Sequence, residues 1–132
     1  ARLGEKLSLH GGGSSDRSFV HMDDVSDATY RIALNGIVGD TYHISTKDAI
    51  SIRELVIKIC EHINVNFTDL VEESEESLGK DQSYNLDSDK IRHELGWQDA
   101  INLEKGITST IEWVDSKLDI LKNLPHKYIH KT

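Results

Sequence analysis

The sequence has one cysteine, one proline and one methionine among 132 residues, and it has no long apolar run. The lone Cys60 cannot form an internal disulfide, and without clustered histidines it cannot build a zinc site, so a reducing, cytoplasmic setting is expected. No stretch approaches the roughly 18 consecutive apolar residues of a membrane span, and residues 1–4 (Ala-Arg-Leu-Gly) carry no signal-peptide core. No membrane partner is expected. Positive charge is also scarce: Lys and Arg total 15 against 23 Asp and Glu, a formal net charge of -8. That balance excludes a broad phosphate-backbone surface, and with it nucleic acid as a partner. Any phosphate the chain holds must be gripped by a few residues. The first residue is Ala rather than Met and a strand begins almost at once, so a piece of a longer chain is expected.

What is present reads as a folded chain. Hydrophobic residues at 37% and charged residues at 29% are ordinary for a domain, and the length suits one hydrophobic core. The spacing predicts strands over residues 7–10 and 18–22, then a helix capped by Asp23 or Asp24 with Val25, Ala28, Thr29 and Ile32 on one face, ended by Asn35-Gly36. Alternation of Tyr42 and Ile44 predicts a strand over 41–45. Ser51-Ile52-Arg53-Glu54 is a capping box, and Ile52, Leu55, Val56, Ile59, Cys60 and Ile63 form a continuous helical stripe. A strand over 67–71 is expected, then an acidic stretch at 72–76, read as a solvated loop or strand end or, alternatively, as a repulsive guard against a competing anion. Asp87 can cap a short helix through Leu95, ended by Gly96, with Trp97 packing back. Asn102 opens a long helix whose apolar face is Leu103, Ile107, Ile111, Val114, Leu118 and Leu121, and Pro125 ends regular structure. The tally is an α/β or α+β pattern, with residues 1–124 as the domain and 125–132 as a tail.

The chemistry candidates begin at HGGGSSDRSFVHMDD, residues 10–24. A glycine run lets backbone N–H groups approach phosphate oxygens, but phosphate loops usually feed a helix, and these glycines feed a strand. Asp16 stands where a dinucleotide fingerprint needs its third glycine, and no Gly-Lys-Ser/Thr follows, so the run is neither a Rossmann fingerprint nor a Walker loop. The remaining reading is a flexible hairpin delivering Arg17, whose planar fork can take two diphosphate oxygens; the alternative is a surface ion pair with a carboxylate. The seven histidines are scattered apart from His126 and His130, so no metal site is expected. There is no Gly-x-Ser-x-Gly elbow, and Cys60 lies on a buried stripe, so no nucleophile stands out.

Four segments, in order, carry a resemblance. LSLHGGGSSDRSFVHMDDVSDA resembles the strand, Gly-x-Gly, Arg-Asp-aromatic, Val-x-Val-x-Asp segment of the extended short-chain dehydrogenases/reductases (SDR) that act on nucleotide sugars. DTYHIST with SIRELV resembles their Tyr-Asn-Ile-Gly and Ser-x-x-Glu-Leu segment, SYNLDSDKIRHELGW their Tyr-x-x-Asp-x-Ser-Lys-x-x-x-Glu-Leu-Gly-Trp, and NLEKGITSTIEWV their closing helix. The 4,6-dehydratases, above all those acting on dTDP-glucose, and the 4-epimerases are the nearest members.

The resemblance implies the C-terminal substrate domain of an extended SDR, lacking the N-terminal Rossmann core. No Gly-x-x-Gly-x-x-Gly is present, and the residues four after Tyr30, Tyr42, Tyr84 and Tyr128 are Leu34, Thr46, Ser88 and Thr132, so no Tyr-x-x-x-Lys is present either. NAD is therefore implied for the parent protein, with no cofactor expected in this fragment. The implied partner is a nucleoside diphosphate sugar, oxidised at C4 in the parent 4,6-dehydratase; a 4-epimerase fragment or a non-catalytic binding module on the same scaffold are the alternatives. Arg17 falls on the family's diphosphate arginine and His10 on an aromatic that lies against the base. Asp48 falls in a loop that contacts the nucleotide, although the family's Asn and Gly have become His43 and Ser45. Before Tyr84 the family often places an arginine; here Lys80, followed by Asp81, is the positive charge expected to replace it from a neighbouring position. The parent is expected to be a homodimer through the missing half.

Overall fold

The computed structural model describes residues 1–74 and 81–125, and it shows a mixed α/β architecture. Strand β1 (Leu7–His10) pairs in parallel with β4 (Val71–Ser74), in the register Leu7 with Val71 and His10 with Ser74. A second, three-stranded sheet has the order β3-β2-β5, with β2 (Asp16–Arg17) antiparallel to β3 (Ile50–Ser51) and parallel to β5 (Ser83–Tyr84). The glycine run therefore does not make a hairpin. The strands on either side of it belong to different sheets, and Gly11–Gly13 is a tight helical turn that hands the chain from one to the other.

Helix α1 (Met22–Asn35) starts where His21 Nδ1 accepts from Asp23 N at 3.2 Å, so the cap is the histidine rather than either aspartate. The expected strand over 18–22 does not form; the ladder is confined to Asp16–Arg17, before it, and helix begins at Met22. In α2 (Ile52–Ile63) the capping box is complete: Glu54 N donates to Ser51 Oγ at 3.1 Å, and Ser51 N donates to Glu54 Oε2 at 2.9 Å. Glu54 titrates below its ordinary value, chiefly because its carboxylate accepts from the Ser51 backbone. After Asn64 the expected strand over 67–71 divides into a helical turn, α3 (Phe67–Leu70), and β4. Phe67, Leu70 and Val71 are spaced i, i+3, i+4, which is helical spacing, and the helical turn puts Leu70 in the core.

Residues 41–46 form no ladder. Tyr42 and Ile44 do alternate inward, but their segment packs on helices instead of pairing with a strand. Tyr42 Oη donates to Glu94 at 2.9 Å, and Ser45 O accepts from Arg92 at 3.0 Å. Helix α4 (Asp89–Leu95) begins beside Asp87, whose carboxylate accepts from Asp89 N, and ends at Gly96. Helix α5 (Leu103–Leu121) is capped by Asn102, whose Oδ1 accepts from Lys105 N at 3.0 Å.

Instead of one core there are two clusters. Leu9, Val56, Cys60, Leu70 and Val71 pack together under the β1-β4 pair, with Ile52 and Phe67 at the edge. Ala28, Ile91 and Trp97 form the other, flanked by Val20, Ile32, Tyr42, Ile44 and Leu95. Asp24 holds the second cluster to the chain that follows it. Its buried carboxylate accepts from Ala100 N at 3.1 Å and Ile101 N at 3.0 Å, while its carbonyl accepts from the Trp97 indole at 3.0 Å. A buried carboxylate is tolerated here because backbone donors replace its water. No helix of the described residues is long and apolar enough to cross a membrane.

Candidate functional site

Strand β2 sits in the middle of its sheet, so its side chains are positioned from both edges. Arg17 is opposite Ile50 on one side and Tyr84 on the other. The ladder is locked by Asp16 N donating to Gln82 O at 2.8 Å and Ile52 N donating to Ser15 O at 3.0 Å. Arg17 itself is half-buried, and its fork is held by carbonyls: Nη1 donates to Asp16 O at 2.6 Å and Nη2 to Asp81 O at 2.9 Å. Among the described residues no carboxylate forms an ion pair with it. Carbonyl dipoles orient a guanidinium without neutralising it, so the charge stays available to an anion.

The other sequence candidates divide around this sheet. Asp81 is brought to Arg17, but through its carbonyl rather than its carboxylate. Asp48 is two residues before Ile50, the register partner of Arg17, and its carbonyl accepts from Thr46 Oγ1 at 2.9 Å. His10 belongs to the other sheet, at the end of β1, with Nδ1 2.9 Å from Ser74 Oγ. Lys80 lies outside the described residues, as do His126 and His130. Two further side chains, not among the sequence's site candidates, stand close by. Exposed Tyr84 is level with Arg17 in the sheet. Arg53 forms a second cationic point at the glycine turn, donating to Gly12 O at 3.2 Å and Glu73 at 2.6 Å, with its guanidinium 4.8 Å from the Phe67 ring centre. Only the fold could reveal Arg53, because its partners are 20 and 41 residues away in sequence.

The glycine turn does not have the form of a dinucleotide cradle. Gly13 is turned into the protein, where a Cβ would stand 2.9 Å from both Arg53 N and Leu9 Cδ1, and the turn leads to a strand rather than the N-terminus of a helix. No group of three or more His, Cys, Asp or Glu among the described residues could hold a metal ion. Among the described residues an apolar cleft of about 800 Å³ lies elsewhere, between α2 and α5, and includes none of Arg17, His10, Asp48 and Asp81.

No family model matches the chain. It is, however, 32% identical over 124 residues to the dTDP-glucose 4,6-dehydratase of Haemophilus influenzae, an alignment covering 86% of this chain. The chain is a homologue of the dTDP-glucose 4,6-dehydratases. This dehydratase homologue spans only 36% of the Haemophilus enzyme. It is also 31% identical over 113 residues to a trifunctional UDP-glucose 4,6-dehydratase/UDP-4-keto-6-deoxy-D-glucose 3,5-epimerase/UDP-4-keto-L-rhamnose-reductase of Arabidopsis thaliana, of which it spans 17%. In structure it matches DesIV, the dTDP-glucose 4,6-dehydratase of Streptomyces venezuelae solved with NAD and TYD bound. There the TM-score is 0.85 at 27% identity, covering 90% of this chain and 37% of that one. The Bordetella bronchiseptica enzyme WbmF, solved with NAD+ and UDP, matches with a TM-score of 0.75 at 27% identity over 91% of this chain and 35% of that one. The extended-SDR resemblance and the mixed α/β fold are thereby both established.

Proposed function

We propose that residues 1–124 are the C-terminal, nucleotide-sugar-binding part of an NAD-dependent nucleotide-sugar 4,6-dehydratase, with NAD held by polypeptide outside this chain. The observation that carries this reading is the Arg17 fork, tethered by two carbonyls and paired with no carboxylate among the described residues. Such a fork suits two oxygens of a diphosphate. DesIV with NAD and TYD, and WbmF with NAD+ and UDP, support the class of ligand.

The neighbours take roles that follow from their charge. A carboxylate repels a diphosphate, so Asp81 acts through the carbonyl that aims Arg17. Asp48 offers an acceptor for ligand hydroxyls, and the His10 ring offers a face against the base. The redox chemistry at the sugar falls to the part of the parent that this chain does not span.

Calorimetric titration of the chain with dTDP and UDP tests the reading. Binding of either, weakened about 10- to 100-fold in Arg17→Ala because a charge-assisted hydrogen bond contributes about 1.5–3 kcal/mol, is the expected result. No heat with either nucleotide at about millimolar concentration, some 4 kcal/mol of affinity, or equal affinity in the variant, defeats it.

A further inference from the structure

Helix α1 starts on a histidine whose two ring nitrogens both have partners. Nδ1 of His21 lies 3.2 Å from Asp23 N, and a backbone N–H can only donate, so Nδ1 accepts and carries no proton. The proton of the neutral ring is then on Nε2, which lies 3.2 Å from Ser109 Oγ of α5 and donates to it. Ser109 Oγ in turn donates to Gly106 O at 3.1 Å. The result is a one-way relay of hydrogen bonds from the backbone of α1 to the backbone of α5. The ring rests against Gly106, where a Cβ would come 3.5 Å from His21 Cδ2, and the His21 side chain is only 19% exposed.

Such a relay has no place for a second proton. A proton on Nδ1 would face the Asp23 N–H, donor against donor. A different acceptor stands close by, since Asp23 Oδ2 is 3.7 Å from Nδ1. A charged ring therefore exchanges the backbone of Asp23 for its carboxylate, keeping its bond to Ser109 and giving up the cap. The helix dipole works in the same direction, because a cation at a helix N-terminus opposes it and needs the carboxylate beside it. Around the ring, α1 brings Asp23 and the buried Asp24, α5 brings Lys105 and Glu112 within a turn of Ser109, and Arg2 and Glu5 line the cleft that His21 also lines. Among the described residues only Asp23 pairs with His21.

We propose that His21 is a pH-operated catch on α1: uncharged, it caps the helix and ties it to α5; charged, it keeps hold of α5 and releases the cap. The turn it governs contains Asp24, whose carboxylate holds Ala100 N and Ile101 N just ahead of α5 and whose carbonyl holds the Trp97 indole. Release of the cap therefore reaches the second core cluster. Histidine is the side chain that ordinarily changes charge between about pH 5 and 8, so mild acidification operates the catch. The proposal does not depend on nucleotide binding, so its test leaves the Arg17 reading untouched.

The test is nuclear magnetic resonance of the chain between about pH 8 and pH 5. At the upper end, long-range proton–nitrogen spectra should show His21 as the Nε2–H tautomer. On acidification the protection factor of the Asp23 amide should fall about 2- to 30-fold, the loss of an N-cap, in step with the charging of the ring. His21→Asn supplies a cap that does not titrate, so that chain should fold and keep the same protection at both ends of the range. In Asp23→Asn the ring should need more acid to charge, because the anion beside it is gone. Emission of Trp97, read with Trp113 replaced by Phe, should change over the same range and stay flat in His21→Asn. An Nδ1–H tautomer at about pH 8 overturns the proposal, as does an Asp23 amide whose protection holds while the ring charges. A ring that charges at the same pH in Asp23→Asn, or a Trp97 emission that acid leaves unchanged, overturns it as well.

Discussion

Replacing Gly13 by alanine should be far more damaging than replacing its neighbour Gly12, and the difference measures how the turn is built. Both residues have positive φ, +73 and +62, where a side chain costs about 1–2 kcal/mol. Around Gly12 the nearest atom to a new Cβ is Arg53 Nη1 at 3.9 Å, an ordinary contact with the end of a flexible side chain. Around Gly13 a Cβ meets Arg53 N and Leu9 Cδ1, each at 2.9 Å. The first is backbone in the opening turn of α2 and cannot swing aside. The second belongs to Leu9, 4% exposed in the core under β1. Overpacking of this kind costs about 1–3 kcal/mol, so Gly13→Ala should lose about 2–5 kcal/mol in all, against about 1–2 for Gly12→Ala. Urea unfolding followed by circular dichroism separates the two, because a small domain has only about 5–15 kcal/mol of stability to lose. Equal losses in the two variants would refute the close approach of Gly13 to α2, and with it the reading of the glycine run as a packing device.

Asp24→Ala removes the acceptor for Ala100 N and Ile101 N, which should cost about 1–3 kcal/mol in urea unfolding and shift the emission of the buried Trp97. Because the folded pKa of Glu54 lies below its ordinary 4.5, the capping box contributes stability above that value and loses it as pH falls through the lower folded pKa. The hydrogen-exchange protection factors at the start of α2 should therefore fall on acidification in the native chain and stay constant in Glu54→Gln. Burial pushes the Cys60 thiol above its ordinary 9.0, so iodoacetamide at pH 8 should label it only after urea unfolding; rapid native labelling would contradict its place in the core.

Contacts within a few residues were legible in the sequence. The Ser51–Glu54 box, the Asn102 cap and the α2 stripe came out as read, because a cap needs only partners three residues apart and a stripe only its own periodicity. The four ordered motifs likewise pointed to the dehydratases without any structure. Errors arose wherever a pattern could be satisfied in two ways. Alternation at Tyr42 and Ile44 reports inward side chains but not the presence of a neighbouring strand, and the apolar group Phe67, Leu70 and Val71 fits a helical turn as well as a strand.

The sequence by itself determined the starts of α2 and α5, the scarcity of cations and the family likeness, all of which depend on residue identity and short spacing. Only the tertiary structure decided that the glycine run joins two sheets, that Arg17 is aimed by carbonyls from Asp16 and from Asp81, and that the apolar face of α5 is left open. Each of those depends on which distant segments meet, and periodicity along the chain says which face of an element is apolar but never what will cover it.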